Sequence, residues 1–135
     1  MENKDYVSYE QARKLKECGF DVPCKAVWHF DGEQGNFIED YPASFRYHYE
    51  CPNFNDSRIF GVHIYSAPHV HDALRWLRMK GIYVEPHFLY EGRFEVFIKS
   101  EKLNILKNLD DNFEDYDTAM SAGINKALEM LKSQV

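Results

Sequence analysis

Membrane-spanning runs, enzyme signatures and paired cysteines are all missing from this sequence. No apolar run approaches the roughly 20 residues of a membrane helix, and the first residues lack the apolar stretch of a signal peptide. We therefore expect a cytoplasmic protein with no membrane partner. The glycine-rich phosphate and dinucleotide motifs are absent, as are the zinc-protease and serine-hydrolase motifs. These absences favour a protein that is not an enzyme and that uses no cofactor.

Cysteine is scarce and unpaired in this sequence. Cys18, Cys24 and Cys51 are an odd number without a Cys-x-x-Cys spacing, which argues against a disulfide framework or a zinc knuckle. We expect reduced, mostly buried thiols. A nucleophilic pair of Cys51 with His48 or His63 is conceivable by composition only, and the proline beside Cys51 favours a structural role.

Histidine and acidic residues are the candidates for a metal site. His69 and His71 point in nearly opposite directions on a regular helix, so they cannot chelate one zinc ion there. The acidic run 110–117 lacks the glycine and the closing glutamate of a calcium loop, and we interpret it as negative charge at a helix N-terminus. The other candidate ligands near in sequence are His63, Glu85 and His87. We predict that none of these residues binds a metal.

Aromatic residues are abundant, at 16% of the chain. The 135 residues form a single domain by size, residues 1–135, and ten Phe, nine Tyr and two Trp exceed what one small core comfortably hides. Some rings are therefore expected at the surface or at an interface. The net charge of −6 opposes contact with phosphate backbones unless basic residues gather on one face.

The order of predicted elements is helix, several strands, helix, hairpin and helix. This order indicates an α+β fold in which helices pack on one face of a mainly antiparallel sheet. Ser8 and Gln11 form a capping box at the first helix, and Gly19 supplies its left-handed end. Gly32 and Gly35 can adopt positive φ in the turn-rich segment that follows the strand KAVWHF. The further strands predicted before residue 67 are SFRYHYE and RIFGVHIYS.

The C-terminal half is predicted as a helix, a hairpin and a long helix. The hairpin spans 82–100 and turns at Glu91-Gly92, and Pro86 requires an edge strand or a bulge. The long helix begins after Asn112 as its N-cap, and a glycine on its buried side, Gly123, signals close approach of another backbone. Its apolar stripe consists of Tyr116, Ala119, Met120, Ile124, Ala127, Leu128 and Leu131.

The helix from Val70 to Gly81 carries two candidate binding surfaces. Its buried stripe is predicted to consist of Val70, Ala73, Leu74 and Leu77. Trp76 and Met79 then form a second apolar spot, which either completes the core or anchors a protein partner, including a second copy of the chain. His71, Arg75 and Arg78 line the opposite flank and are the candidate nucleic-acid contacts.

The helix, hairpin and helix predicted for residues 70–131 also bear a faint resemblance to an α-β-β-β-α module that binds double-stranded RNA. The C-terminal helix of such a module normally carries the cations, and here Lys126 and Lys132 are set against several acids. Nucleic-acid binding is therefore the alternative function and protein contact the first.

Three segments carry a resemblance to a known family. They are YVSYEQARKLKECGFDVPC, SAPHVHDALRWLR and YDTAMSAGINKALEML, which cover 6–24, 66–78 and 116–131. Together they resemble a family of small hypothetical proteins from phages and mobile elements of gut bacteria. The resemblance implies an accessory protein of a phage or mobile element and implies no mechanism. The aromatic-rich middle of the chain departs from the family pattern.

The aromatic excess predicts a homodimer at micromolar concentration, since two-fold pairing covers apolar surface with the commonest closed symmetry. Sedimentation equilibrium measures this directly. We expect a mass twice the 16.0 kDa of the chain, and a mass of one chain at every concentration would show that the dimer is wrong.

Zinc is predicted to be absent from the folded protein, because no set of three well-placed ligands is evident in the sequence. Metal analysis of tag-free protein should give well under one zinc per chain. A stoichiometric zinc that a chelator removes, with loss of structure, would contradict this prediction.

Overall fold

Four helices and six strands make up the part of the chain that the computed structural model describes, residues 5–40, 53–103 and 105–133. In chain order they are α1 (Tyr9–Glu17), β1 (Val27–Phe30), β2 (Gly35–Ile38), α2 (Ser57–Phe60), β3 (Ile64–Ser66), α3 (Val70–Met79), β4 (Ile82–Phe88), β5 (Phe94–Ser100), β6 (Ile105–Phe113) and α4 (Tyr116–Ser133).

The predicted α+β class is confirmed. The strands form two antiparallel sheets of three strands, in the orders β2-β1-β3 and β4-β5-β6. The chain divides into two compact units, Met1–Val70 and His71–Val135, and each holds one sheet. That the whole chain forms a single domain stays a prediction.

Helix α1 begins and ends as its sequence predicts. The Ser8 hydroxyl accepts a bond from the Gln11 amide at 3.2 Å, and the Ser8 amide donates to the Gln11 side chain at 3.0 Å. At the other end Gly19 has φ of +92°, and the Phe20 amide donates to the Leu15 carbonyl at 2.9 Å. Phe20 and Leu15 are both buried, so the capping motif also ties the helix into the core.

One face of the first sheet is a layer of packed aromatic rings. The register places Phe37 and Tyr65 on either side of Trp28, and the Trp28 ring nitrogen donates to the Val7 carbonyl at 3.0 Å. The Tyr9 ring of α1 lies over Gly35, where a Cβ would come within 2.6 Å of it. Gly32 has the predicted positive φ, but the prediction for Gly35 is wrong, because this residue makes room for a ring inside a strand.

The opposite face of this sheet packs on a second apolar cluster. Val27, Phe54 and Ile64 are buried there, with the half-buried Ile38 and Phe60 against them. The prediction of a continuous strand in RIFGVHIYS is wrong, since its start lies in α2 and only its end in β3. The Asp56 carboxylate accepts the Arg58 amide at 3.1 Å and so begins this short helix. The predicted strand SFRYHYE lies outside the described residues.

The hairpin of the second unit confirms the predicted turn. Glu91 and Gly92 have φ of 48° and 76°, and the Arg93 amide donates to the Tyr90 carbonyl at 2.7 Å. Positive φ at both central residues defines the primed turn type that suits the twist of a two-stranded ribbon. Pro86 lies in β4, an edge strand of its sheet, as its missing N–H requires.

Helix α4 packs on the sheet through the apolar stripe that its sequence predicts, with one exception. Ala119, Met120, Gly123, Ile124, Ala127, Leu128 and Leu131 are buried, while Tyr116 is 51% exposed. The exception has a positional cause, because Tyr116 is the first residue of α4 and lies at the end of the sheet. The close approach predicted at Gly123 is made by valine side chains, since a Cβ there would lie 2.5 Å from Cγ1 of Val84 and 3.0 Å from Cγ2 of Val96.

Strand β6 was not predicted, and the assignment of Asn112 as N-cap is wrong. Asn112 lies within β6, which pairs with β5 as the third strand. The cap is Asp115, whose carboxylate accepts the Thr118 amide at 2.7 Å. The strand ILKNLDDNF is rich in polar residues and runs along the edge of the sheet, so its sequence lacks the regular alternation of a half-buried strand.

Substitution at Gly123 should destabilise the second unit. We expect Gly123→Val to lower the free energy of unfolding by about 1–3 kcal/mol, the usual cost of forcing extra methyl groups into a packed core. Val84→Ala removes the methyl groups nearest to Gly123. The double variant should therefore lose less unfolding free energy than the sum of the losses of the two single variants. Denaturant unfolding measures all three.

Asn125→Val is the control, because Asn125 is exposed on the same helix. Its stability should change by no more than about 0.5 kcal/mol. Equal effects at 123 and 125 would mean that α4 does not approach the sheet at Gly123.

Candidate interaction surface

The two residues of the predicted apolar spot have different environments. Trp76 is 3% exposed and belongs to the buried side of α3 with Ala73 and Leu77, whereas Met79 is 74% exposed. Leu74, predicted in the core stripe, is only half-buried. The buried side is therefore rotated toward Trp76, as expected when the largest apolar side chain of a helix is removed from water. The structure does not bring Trp76 and Met79 together as one exposed surface.

The predicted basic stripe is exposed on α3. His71, Arg75 and Arg78 all face solvent at helical spacing, and His71 lies 3.6 Å from the carboxylate of Asp72. The order of elements from α3 to α4 is α-β-β-β-α, because the unpredicted strand β6 follows the predicted hairpin. In the RNA-binding module the C-terminal helix normally carries cations, whereas here acidic residues stand at the start of α4.

A different surface has the properties expected of an interaction site. At the end of the second sheet, near the hairpin turn, Phe88 is 65% exposed, Tyr90 58% and Tyr116 51%. Leu89 is also exposed. Phe94 of β5 and Phe113 of β6 are half-buried at the same end of the sheet. We call this surface the aromatic tip; it consists of Phe88, Leu89, Tyr90, Phe94, Phe113 and Tyr116.

The register of the strands builds the aromatic tip. Phe94 of β5 lies opposite Phe88 of β4 and opposite Phe113 of β6, so one row of rings crosses all three strands. Directly opposed residues of antiparallel strands point to the same face of the sheet. The Phe88 and Phe94 rings meet edge to face at 5.6 Å, and Phe94 meets Tyr116 in the same way at 5.9 Å.

The position of α4 leaves this row exposed. The helix covers the same face of the sheet further along, where Val84 and Val96 lie beneath Gly123. It begins at Tyr116, beside the row of rings, and has no preceding turn that could cover them. The aromatic tip is therefore the uncovered continuation of the hydrophobic core of this unit.

Charged residues at this end are mostly acidic. Glu91 occupies the hairpin turn, and Glu114, Asp115 and Asp117 precede or begin α4. These four carboxylates are the acidic rim of the aromatic tip. Arg93 is the base in this group, and its guanidinium lies 3.8 Å from the Glu114 carboxylate. Glu114 is itself 84% exposed, so the rim presents negative charge to solvent.

The aromatic tip could have been found in the sequence. FLYEGRF, residues 88–94, places four large apolar residues around a two-residue turn, where polar residues are usual. What the sequence does not show is the third strand, which brings Phe113 and Tyr116 to the same place.

The candidate metal and nucleophile residues are dispersed within the described part of the chain. No group of three histidine, cysteine or acidic side chains there is arranged to hold a metal ion. His87 lies 3.7 Å from Glu85, and this pair is exposed. Cys24 is buried and Cys18 half-buried, whereas Cys51 and His48 lie outside the described residues.

Comparisons with protein-family models, with curated proteins and with solved structures found no match to this chain. In the described ranges, no helix is both long enough and apolar enough to cross a membrane. Function is therefore inferred from the residues of the chain itself.

Proposed function

We propose that the protein is a non-enzymatic accessory protein that acts in the cytoplasm through protein contacts made by the aromatic tip. One observation carries the proposal: Phe88, Tyr90 and Tyr116 expose more than half of their surface near one end of a sheet, and the rings of Phe88 and Tyr116 both contact Phe94. Contiguous apolar patches of this kind mark interaction sites on soluble proteins.

The composition of the aromatic tip fits a protein partner. Phenylalanine and tyrosine are enriched in the cores of protein interfaces, where each buried ring removes a large apolar area from water. At about 25 cal/mol per Å², covering such rings is a strong driving force for association. The rings are also held by three paired strands and by the start of α4, so little conformational entropy is lost on binding.

The biological setting comes from the sequence resemblance. The segments at 6–24, 66–78 and 116–131 resemble small proteins of phages and mobile elements of gut bacteria. Accessory proteins that act by contact need a stable surface and no catalytic residues. The aromatic tip meets this requirement.

Nucleic-acid binding is the alternative, and the α-β-β-β-α order of the second unit favours it. The charges oppose it, because Asp115 and Asp117 stand where α4 would need cations to contact phosphates. The basic stripe of His71, Arg75 and Arg78 supplies only two permanent charges. Protein contact is therefore the better-supported function.

Affinity capture from a gut-bacterial lysate, treated with nuclease, tests the proposal. The tip variant Phe88→Ser/Tyr90→Ser should lose the captured protein by about tenfold or more, as expected when interface anchors are removed. Met79→Ser is the matched control, since Met79 is at least as exposed as the tip residues and lies on α3, outside the hairpin. This control should capture as the original protein does.

Two results would contradict the proposal. Loss of capture in Met79→Ser but not in the tip variant would move the binding surface to α3. Loss of capture on nuclease treatment, together with a salt-dependent gel shift that Arg75→Ala/Arg78→Ala abolishes, would establish the nucleic-acid alternative. Both tip substitutions are at exposed positions, so unchanged thermal melting is the check that the variant is folded.

A further inference from the structure

We infer that the aromatic tip binds a protein segment that places lysine or arginine beside a large apolar side chain. This inference rests on the function proposed above and names the chemistry of the partner. It follows from the two properties that the tip combines, exposed rings and an acidic rim.

The acidic rim lies beside the rings at two places, the hairpin turn and the start of α4. Glu91 follows Tyr90 directly in the turn, and Glu114 and Asp117 flank Tyr116 at the start of α4. Arg93 contributes one opposing charge, but its guanidinium is already shared with Glu114 at 3.8 Å. A partner that covers the rings must therefore approach several carboxylates, and positive charge on the partner makes that approach favourable.

The net charge of −6 acts in the same direction. A negative protein attracts basic partners over distances of about a Debye length, roughly 8–10 Å at physiological salt. Apolar contact then supplies affinity, and the rim supplies orientation and a faster encounter. An acidic or neutral partner would gain only the free energy of apolar contact.

A second copy of the chain fits this surface poorly. Two aromatic tips that face each other would also bring two acidic rims together, and like charges at an interface oppose association. The homodimer predicted from the sequence would thus have to use a different surface.

Glu91 allows the charge effect to be separated from folding. It has φ of 48°, and no other non-glycine residue in the described ranges has positive φ. Asparagine tolerates this backbone conformation better than glutamate does, and Asn-Gly is the favoured pair for such a turn. Glu91→Asn should therefore raise the melting temperature while it removes a charge from the rim.

The probe is a random peptide library displayed on phage and selected on the full chain at low salt. We expect the enriched peptides to combine lysine or arginine with leucine, phenylalanine or tryptophan. Synthetic copies of an enriched peptide should bind about two- to fivefold more weakly to Glu91→Asn and about tenfold more weakly to Glu91→Lys/Glu114→Lys, as expected for exposed charge pairs. Binding should also weaken as salt rises.

Glu129→Lys is the control for charge reversal. Glu129 is exposed on α4, about 20 Å along the helix from Tyr116 at 1.5 Å per residue. Peptide binding to this variant should be close to that of the original protein. An equal loss at Glu129 and at the rim would mean that net charge alone attracts the peptides, which overturns the inference.

The remaining outcomes separate this inference from the proposed function. Enrichment of apolar peptides without positive charge, with binding lost in Phe88→Ser/Tyr90→Ser, would overturn the inference and leave the proposed function intact. Enriched peptides that bind that tip variant normally, or no enrichment at all, would count against both. Enrichment of rim-dependent basic peptides supports both.

Discussion

The close approach of α4 to the β4-β5 hairpin is the constraint on which the second unit depends. Gly123 has no side chain, and Val84 and Val96 occupy the space that a Cβ would need. Glycine within a helix costs about 1 kcal/mol relative to alanine. That cost is offset by the packing of the buried stripe of α4 on the sheet. Because the helix is fixed at this point, its first residue is also fixed beside Phe94 at the end of the sheet.

The aromatic excess of the sequence has two structural outcomes. In the first unit the rings pack on one another, with Tyr6 stacked on His69 at 4.2 Å and Trp28 at 5.2 Å from Phe37. Centroids this close leave no space for a ligand between the rings. In the second unit the rings stay largely exposed at one end of the sheet. Within the described ranges, the strongly exposed aromatic rings are those of the aromatic tip.

Signals confined to a few neighbouring residues predicted structure well. The capping box at Ser8, the left-handed Gly19, the Glu91-Gly92 turn and Pro86 on an edge strand are all observed, because each depends on local backbone chemistry. Features set by tertiary contacts were missed. Gly35 lies in a strand and not in a turn, and its missing side chain makes room for the ring of a residue distant in sequence.

The candidate site could be predicted only in part. The sequence predicts an exposed aromatic surface and offers Trp76 with Met79 as its candidate, leaving open whether Trp76 completes the core, because helical periodicity does not show how far a helix rotates to bury its largest side chain. The sequence also predicts Tyr116 in the core, because periodicity does not show where the sheet beneath a helix ends. Strand β6 is a polar edge strand, and its pairing is what brings Phe113 to the tip.

Hydroxyl-radical footprinting in dilute solution tests the central claim, that the rings of the tip are exposed on a folded unit. We predict that Phe88, Tyr90 and Tyr116 are modified several-fold faster than the buried Trp76 and Phe54. Addition of a peptide that binds the tip should protect the first three residues and leave the buried pair unchanged. Equally slow modification of all five rings in the free protein would contradict the account, because the tip would then be part of a covered core.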